Sequence, residues 1–516
     1  MKKVKQTILI GLDGATFSII NPMLKKGELP NISGIINNGY SAVLEAAFPP
    51  STFPGWPTIA TGKNPGKHGI YGFFNPESRK PLSSRRIRTV DIKYINTKVN
   101  NTKNLWNFSD ELKIGFVNFP STFPVRRVNG FMVGGVLAPS PKSKRFTYPE
   151  NLKCIHDGYE IDAKFLANPK EALDNVNRVL DKRMKAIEEL DMKYNPELLC
   201  FVLTGVDRIS HYLWGKKEVQ KHYKKVDKLM GKFLSNKDDY NLFLVSDHGF
   251  QANNFQFNVN TWLKKNKLLS IKKESGILNS LFRKIGLNTK NVIRMIKLLH
   301  MEFILQKLPL KIRGIFPEKD ASFEDAVIDW KKTYAYSTFT MESRIYINLK
   351  GREPYGSVDE KDYENVREDI IKRINKIDKK ISAVKREDEY SGKYTSLFPD
   401  IIVRVNKPGY QAHTCLSDKV FSKVDHSRLE TPLGRHHKDG IFVAYGSDIA
   451  KGKSDRFYQW DVMPTILHCL GKPIPKDLDG RVLHEVFKKN SEPHNRKIKY
   501  ISPKEKIRDV ASKIKI

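Results

Sequence analysis

Three short apolar runs in this chain each lead into an aspartate, and together they restrict the fold more than anything else in the sequence. TILIGL (7–12) ends at Asp13, FVLTGV (201–206) at Asp207, and NLFLVS (241–246) at Asp247, which His248 follows. A strand with one wet face alternates polar and apolar residues. A run that is apolar almost throughout has both faces covered, as strands of a parallel sheet between two layers of helices do. Further runs stand at 113–118, 400–405 and 441–445, with helical patterns at 173–191 and 217–234. The expectation is an α/β chain with a largely parallel central sheet. Ligands of such sheets collect beyond the carboxyl ends of the strands, which is where the three aspartates stand.

A chain of 516 residues holds one large α/β domain with insertions, or two or three units. Its 90 Lys+Arg against 57 Asp+Glu give a net charge of +33, which favours anionic partners: nucleic acid, an anionic membrane face or phosphorylated small molecules. A general richness in lysine and isoleucine accounts for the excess equally well. No zinc finger, RNA-recognition motif or compact helix-turn-helix is present, so no specific nucleic-acid motif supports the first of these. The four cysteines form no CxxC and indicate neither a disulfide framework nor a thiolate zinc site. The start MKKVKQTILIGLDG reads as a first buried strand rather than a signal peptide, and no run reaches 18 apolar residues. A cytoplasmic protein is expected.

Organisation follows composition. Residues 1–251 are expected to form the first part of a catalytic core, and 252–325 a basic, helical insertion. That insertion reads as a lid, as a peripheral contact with an anionic membrane, or as a packed surface element. Residues 326–395 follow as a peripheral α/β segment, 396–485 as the final part of the core, and 486–516 as a basic tail.

The chemistry concentrates at the strand ends. Asp207 and His211 share a face if VDRISH opens a helix. Asp247 and His248 are adjacent, and His436 and His437 precede the run at 441–445. Carboxylate and imidazole without cysteine suit zinc, manganese or iron, although each piece alone is also an ordinary cap or turn. The tetrapeptide STFP occurs at 51–54 and again at 121–124, offering Thr52 and Thr122 as nucleophiles, and the local motif cannot choose between them.

These segments together resemble the alkaline phosphatase superfamily, and within it the type I phosphodiesterase/nucleotide pyrophosphatase family. The matching stretches are ILIGLDGA, FPPSTFPGWPTIATGKNPGKHGI, VDRISH, SDHG, GRHHKDGIFVAYG and DVMPTILHCLGKPIPKDLDGRVL. The resemblance implies a three-layer α/β/α fold with inserted lid or cap segments and two divalent metal ions, zinc or else manganese. Asp207, His211 and His436 would hold one ion, and Asp13, Asp247, His248 and the Thr52 hydroxyl the other, with His437 left outside. Thr52 falls on the family's nucleophile position, at the start of a helix whose free N–H groups favour a phosphoryl group. Thr122 reads as a turn or pocket-wall residue, and Ser51 would serve only with the register slipped by one.

The implied reaction is hydrolysis of a phosphodiester or phosphoanhydride through a phosphothreonine, on a nucleotide, a nucleotide-sugar or another diester. The chain departs from the family where an asparagine usually follows HGI: Phe73 stands there, with Asn75 two residues on. No arginine of the monoesterase pattern follows the nucleophile, which favours diesters unless Lys63, Lys67 or Arg435 supplies the charge. A phosphomonoesterase of the same superfamily and a non-catalytic phosphate-binding protein are the alternatives.

Overall fold

The computed structural model describes residues 5–73, 102–108, 110–150, 152–156, 158–166, 168–234, 240–272, 328–337, 344–414, 416–426 and 431–502. Most of the basic insertion at 252–325 and the end of the tail therefore lie outside the described residues, as does Asn75. In chain order the strands of the central sheet are β1 (Gln6–Leu12), β2 (Tyr40–Glu45), β3 (Ile114–Phe119), β4 (Gly130–Gly134), β5 (Thr147–Tyr148), β6 (Leu198–Leu203) and β7 (Tyr240–Val245). Asp439–Gly446 and Gly452–Tyr458 complete it, and the spatial order places β7, β1 and β6 side by side near the middle. Only Asp439–Gly446 and β5 run against the rest, so the sheet is largely parallel, as its composition requires.

The uninterrupted apolar runs are explained by alternation across this sheet. Ile8, Ile10 and Leu12 enter one core while Leu9 enters the other, and Leu199, Phe201 and Leu203 are likewise divided from Leu198, Cys200 and Val202. One face is covered by helices α1 (Phe17–Lys25), α2 (Pro30–Asn38), Pro169–Tyr194, Gly205–Leu213 and Lys217–Leu234; the other carries α3 (Thr52–Thr61) and Val462–Cys469. This is a three-layer α/β/α arrangement. Among the described residues no helix is long and apolar enough to cross a membrane.

A cap with its own core stands beside this domain. Ala335–Tyr336, Arg344–Ile347, Ile401–Val405 and Ile381–Lys385 form a four-stranded antiparallel sheet in that order, covered by the helix Tyr363–Asn375. The run at 400–405 thus belongs to the cap sheet, not to the central one. The helix Val259–Lys265 and the strand Phe255–Asn258 join the same cap core through Trp262, Leu263 and Phe257. The cap grips the loops around α3. Tyr390 donates its hydroxyl to Phe48 O (2.9 Å), Tyr394 N–H donates to Gly66 O (2.9 Å), and Asn64 Nδ2 donates to Ser391 Oγ (3.0 Å). The Tyr71 and Tyr346 hydroxyls meet at 2.8 Å.

Packing beneath the helix Gly205–Leu213 makes the fold sensitive to acid. A Cβ on Gly205 would come within 2.3 Å of His222 Nε2, so this helix starts directly on the imidazole. Nδ1 of that ring lies 2.9 Å from Asn177 Oδ1 and donates to it. Burial, then the charge of Lys225, lowers the His222 pKa to about 3, and burial followed by Lys63 does the same for His68. An unfolded histidine titrates near 6.5. Each depressed pKa therefore contributes stability that is complete above pH ~6.5 and lost as pH falls from there towards 3, by about 1.4 kcal/mol per unit. The melting temperature of the metal-free protein is expected to fall between pH 7 and 5, with a shallower dependence in His222→Asn. Parallel pH profiles for the two proteins would show that this ring does not carry the effect.

Candidate active site

Three adjacent parallel strands deliver three carboxylates to one edge of the sheet. Gly11 pairs with Val202 and with Val245, so β6 and β7 end level with β1 and release Asp207, Asp247 and Asp13 together. Asp13 follows its strand at once. Asp207 lies in the first turn of Gly205–Leu213, with His211 one turn further along the same face. Gly14 permits this convergence: its φ is +74°, and a Cβ there would meet the Phe250 ring at 2.8 Å and Asp207 Cα at 3.2 Å.

Each aspartate is used in the same divided way. Asp13 Oδ2 accepts from the Trp56 indole N–H (3.1 Å), Asp247 Oδ1 from the Gly14 N–H (3.2 Å), and Asp207 Oδ2 from the Arg208 guanidinium (2.5 Å). The other oxygen of each, Asp13 Oδ1, Asp247 Oδ2 and Asp207 Oδ1, is buried without a hydrogen-bond partner, as is His248 Nε2. These bare atoms face one another. His248 Nε2 lies 3.3 Å from Asp247 Oδ2, 3.7 Å from Asp13 Oδ1 and 3.9 Å from Asp207 Oδ1. His436 Nε2 lies 3.2 Å from Asp207 Oδ1 and 3.1 Å from His211 Nε2, which is itself 3.4 Å from the same oxygen. The imidazoles are divided too. Nδ1 of His248 lies 3.2 Å from Gly249 O and Nδ1 of His436 lies 3.2 Å from Pro50 O. Carbonyls only accept, so both Nδ1 atoms carry the proton and both Nε2 lone pairs are presented inward.

Orphaned buried polar atoms are costly, and several kept in one place call for a ligand. Here the donors are carboxylate oxygen and neutral imidazole nitrogen, the set that divalent zinc or manganese accepts. Two overlapping groups have donor atoms close enough to hold an ion: Asp13, Asp247 and His248, and Asp207, His248 and His436. The electrostatics fit the same reading. Burial, then the charge of Asp207, holds the Asp13 pKa well above the carboxylate range; burial, then Asp13 and Asp207, does so for Asp247. Burial works the same way on Asp207, but His211 and Arg208 outweigh it and hold this carboxyl well below that range. Burial, then His436, keeps His248 neutral, and burial also lowers His211. Added positive charge would favour the ionised forms of Asp13 and Asp247, and the histidines are already held in the neutral form that can bind a metal.

The helix bearing Thr52 is fixed against this cluster on either side of that residue. Ser51 is its N-cap, with extended backbone, and Thr52 is buried. Before it, Pro50 holds His436 by the contact already described. After it, a Cβ on Gly55 would approach Asp247 Cβ and O to 2.9 Å, and Trp56 reaches Asp13. Gly11 makes space for that indole, since a Cβ there would lie 2.2 Å from Trp56 Cη2. The second STFP copy is built differently. Thr122 donates to Phe119 O (2.7 Å) and accepts from Gly135 N–H (3.1 Å), which makes its hydroxyl a loop brace.

The remaining sequence candidates are dispersed. His437 turns to Asp439, whose N–H it accepts at 3.2 Å. Lys63 pairs with Asp477, and Lys67 with Asp479 at 2.6 Å, on the closing loop of the core. Phe73 packs edge-on against Phe53 with ring centroids 5.0 Å apart. Arg435 lies on the strand Gly434–His437, opposite Gln251. Sequence reasoning missed the residues that brace the ligands. Arg208 ties Asp207 to Asp162 (Nε to Oδ2, 2.7 Å), and Gln459 links Asp247 O to the Ala47 N–H. Arg208 was visible as the neighbour of Asp207; nothing near Asp162 or Gln459 announces a partner so distant in sequence.

A family model described as type I phosphodiesterase/nucleotide pyrophosphatase matches residues 7–439. Solved structures of human and murine ectonucleotide pyrophosphatase/phosphodiesterase 5 share the fold, each at 13% identity and a TM-score of 0.51. An inactive threonine-to-alanine variant of the murine protein in complex with AMP is 14% identical, with a TM-score of 0.52. Each alignment covers 94% of this chain and 100% of the other. No curated protein matches the sequence.

The indole–carboxylate contact yields a direct test. Trp56→Phe keeps an aromatic, though smaller, side chain and removes the donor that orients Asp13. Loss of an outer partner of this kind costs 10–100-fold in metal affinity, and calorimetric titration of the chelated protein with zinc or manganese should show it. Unchanged affinity would mean that Asp13 needs no such support.

Proposed function

Because the chain belongs to the type I phosphodiesterase/nucleotide pyrophosphatase family, and is in consequence a metal-dependent hydrolase of that kind, we propose that Thr52 is its nucleophile and that the substrate is a phosphodiester or nucleotide pyrophosphate. The observation that supports this most is the set of bare, buried ligand atoms converging beside the start of the Thr52 helix. Asp13, Asp247 and His248 would hold one divalent ion with the Thr52 hydroxyl, and Asp207, His211 and His436 the other. Such ions lower the pKa of a coordinated hydroxyl and neutralise charge on the phosphoryl oxygens.

The chain's own residues then order the reaction. Trp56, Gly14 and Arg208 fix the carboxylates, and the packing of Gly55 on Asp247 holds the helix that Thr52 begins against the cluster. Attack by Thr52 Oγ forms the Oγ–P bond as the bond to the leaving oxygen breaks on the opposite face. Water then attacks the phosphothreonine from the vacated face, the Oγ–P bond breaks, and the hydroxyl is restored. Two in-line displacements give net retention at phosphorus. A murine protein of the same fold was captured with AMP, so a nucleotide half is a natural first class of substrate to test.

Hydrolysis of bis-p-nitrophenyl phosphate is expected to exceed that of p-nitrophenyl phosphate in metal-reconstituted protein. Thr52→Ala should lower the diester rate on the order of a thousandfold or more, whereas Thr122→Val should keep its nucleophile. Faster monoester turnover would reassign the chain as a phosphatase, and full activity in Thr52→Ala would end the nucleophile assignment.

A further inference from the structure

An arginine beside a carboxylate frequently closes a fork on both of its oxygens, through two parallel N–H···O bonds. Arg208 follows Asp207 in the chain and touches it, yet it covers one oxygen alone. Its Nη1 donates to Asp207 Oδ2 (2.5 Å), while Oδ1 stays buried without a hydrogen-bond partner, 3.2 Å from His436 Nε2. A fork would occupy the lone pairs that an ion held by Asp207, His211 and His436 needs.

Asp162 is what divides the guanidinium. Its Oδ2 accepts from Arg208 Nε at 2.7 Å and lies 2.5 Å from Nη2. The nitrogen that would complete an end-on fork with Nη1 is thereby engaged elsewhere. Burial works against the Arg208 charge, but Asp162, ahead of Asp207 and Asp13, outweighs it and raises the pKa. Phe165 covers the guanidinium, with its ring centroid 4.6 Å from Arg208 Cζ, and makes a T-shaped contact with the His211 ring at 5.6 Å between centroids.

Asp162 is itself held in register with the end of β6. Thr204 Oγ1 donates to Asp162 Oδ1 (2.6 Å), and Ala163 N–H donates to the same oxygen (2.9 Å). The buried Arg183 donates to Val202 O (3.2 Å) and Thr204 Oγ1 (3.3 Å) on one side, and to the carbonyls of Glu160 and Ile161 on the other. Beyond Asp162, Lys164 N–H donates to Asn175 Oδ1 (3.0 Å). The segment is stapled before and after Asp162, and the strand that leads to Asp207 is stapled to it.

Resting on the reading that Asp207, His211 and His436 hold one ion, we propose that Asp162 is a positioning residue for that site: by keeping Arg208 from forking, it leaves Asp207 Oδ1 open to the metal. Arg208 then lends its charge to the cluster without competing for the ligand.

The test is the zinc retained by the full-length protein across a series of buffered free-zinc concentrations, measured by atomic absorption. The binding step that disappears in His211→Ala belongs to this site. Asp162→Asn should weaken that step about tenfold or more and leave the other in place. Thr204→Val removes the hydroxyl that orients Asp162 and should weaken the same step by less. The deciding readout is rescue. In Asp162→Asn combined with Arg208→Gln, the step should lie within about threefold of Arg208→Gln alone, because no guanidinium remains to close the fork. A residue that only supports the fold gives no such rescue. Melting curves establish that each variant is folded, and Thr204→Val with Arg208→Gln carries the same comparison should Asp162→Asn not fold. Unchanged zinc retention in Asp162→Asn and Thr204→Val overturns the proposal. Equal weakening of both steps does so too, as does a loss that persists undiminished without Arg208. If both steps survive in His211→Ala, the ligand assignment itself fails, and the proposal with it.

Discussion

Three carboxylate oxygens with no hydrogen of their own to accept are held together in a buried place, and much of the molecule exists to keep them there. In a medium of low polarity, like charges at such distances repel strongly. The chain meets this by tying one oxygen of each aspartate to a donor: an indole, a backbone N–H and a guanidinium. The second oxygen is thereby aimed rather than satisfied. The level ends of β7, β1 and β6 fix the carboxylates' separation, the positive φ of Gly14 closes the gap between two of them, and the space above Gly11 admits the indole.

The sequence was most informative where one physical pressure acts alone. Strands covered on both faces are apolar at nearly every position, so β1, β6 and β7 could be read directly, and with them the edge at which the aspartates gather. The paired spacing of Asp207 and His211 needed only the pitch of a helix. The run at 400–405 misled because a strand of the cap's small sheet is covered nearly as fully as one of the central sheet; Ile401 and Ile402 are both buried, in different cores. Composition cannot tell which sheet claims a strand.

The braces around the ligands were illegible for another reason. Asp162 meets Arg208 across 46 residues, and Gln459 meets Asp247 across 212, with no periodicity or motif to connect them. Thr52 and Thr122 make the same point in miniature. The two tetrapeptides are identical, and their difference in role comes wholly from what surrounds each one: His436, Asp247 and Asp13 around the first, the carbonyl of Phe119 and the N–H of Gly135 around the second.

The cap's hold on the loops that flank Thr52 limits how the two can be recombined. Tyr390 binds the loop before the nucleophile, while Ser391, Tyr394 and Tyr346 bind the segment after it. An insertion attached only at its ends can be exchanged without disturbing the chemistry beneath it. This one cannot, because its side chains are part of the mould in which the nucleophile loop is cast. A chimera that joins this cap to another core would have to carry residues 48–71 with it to keep these contacts.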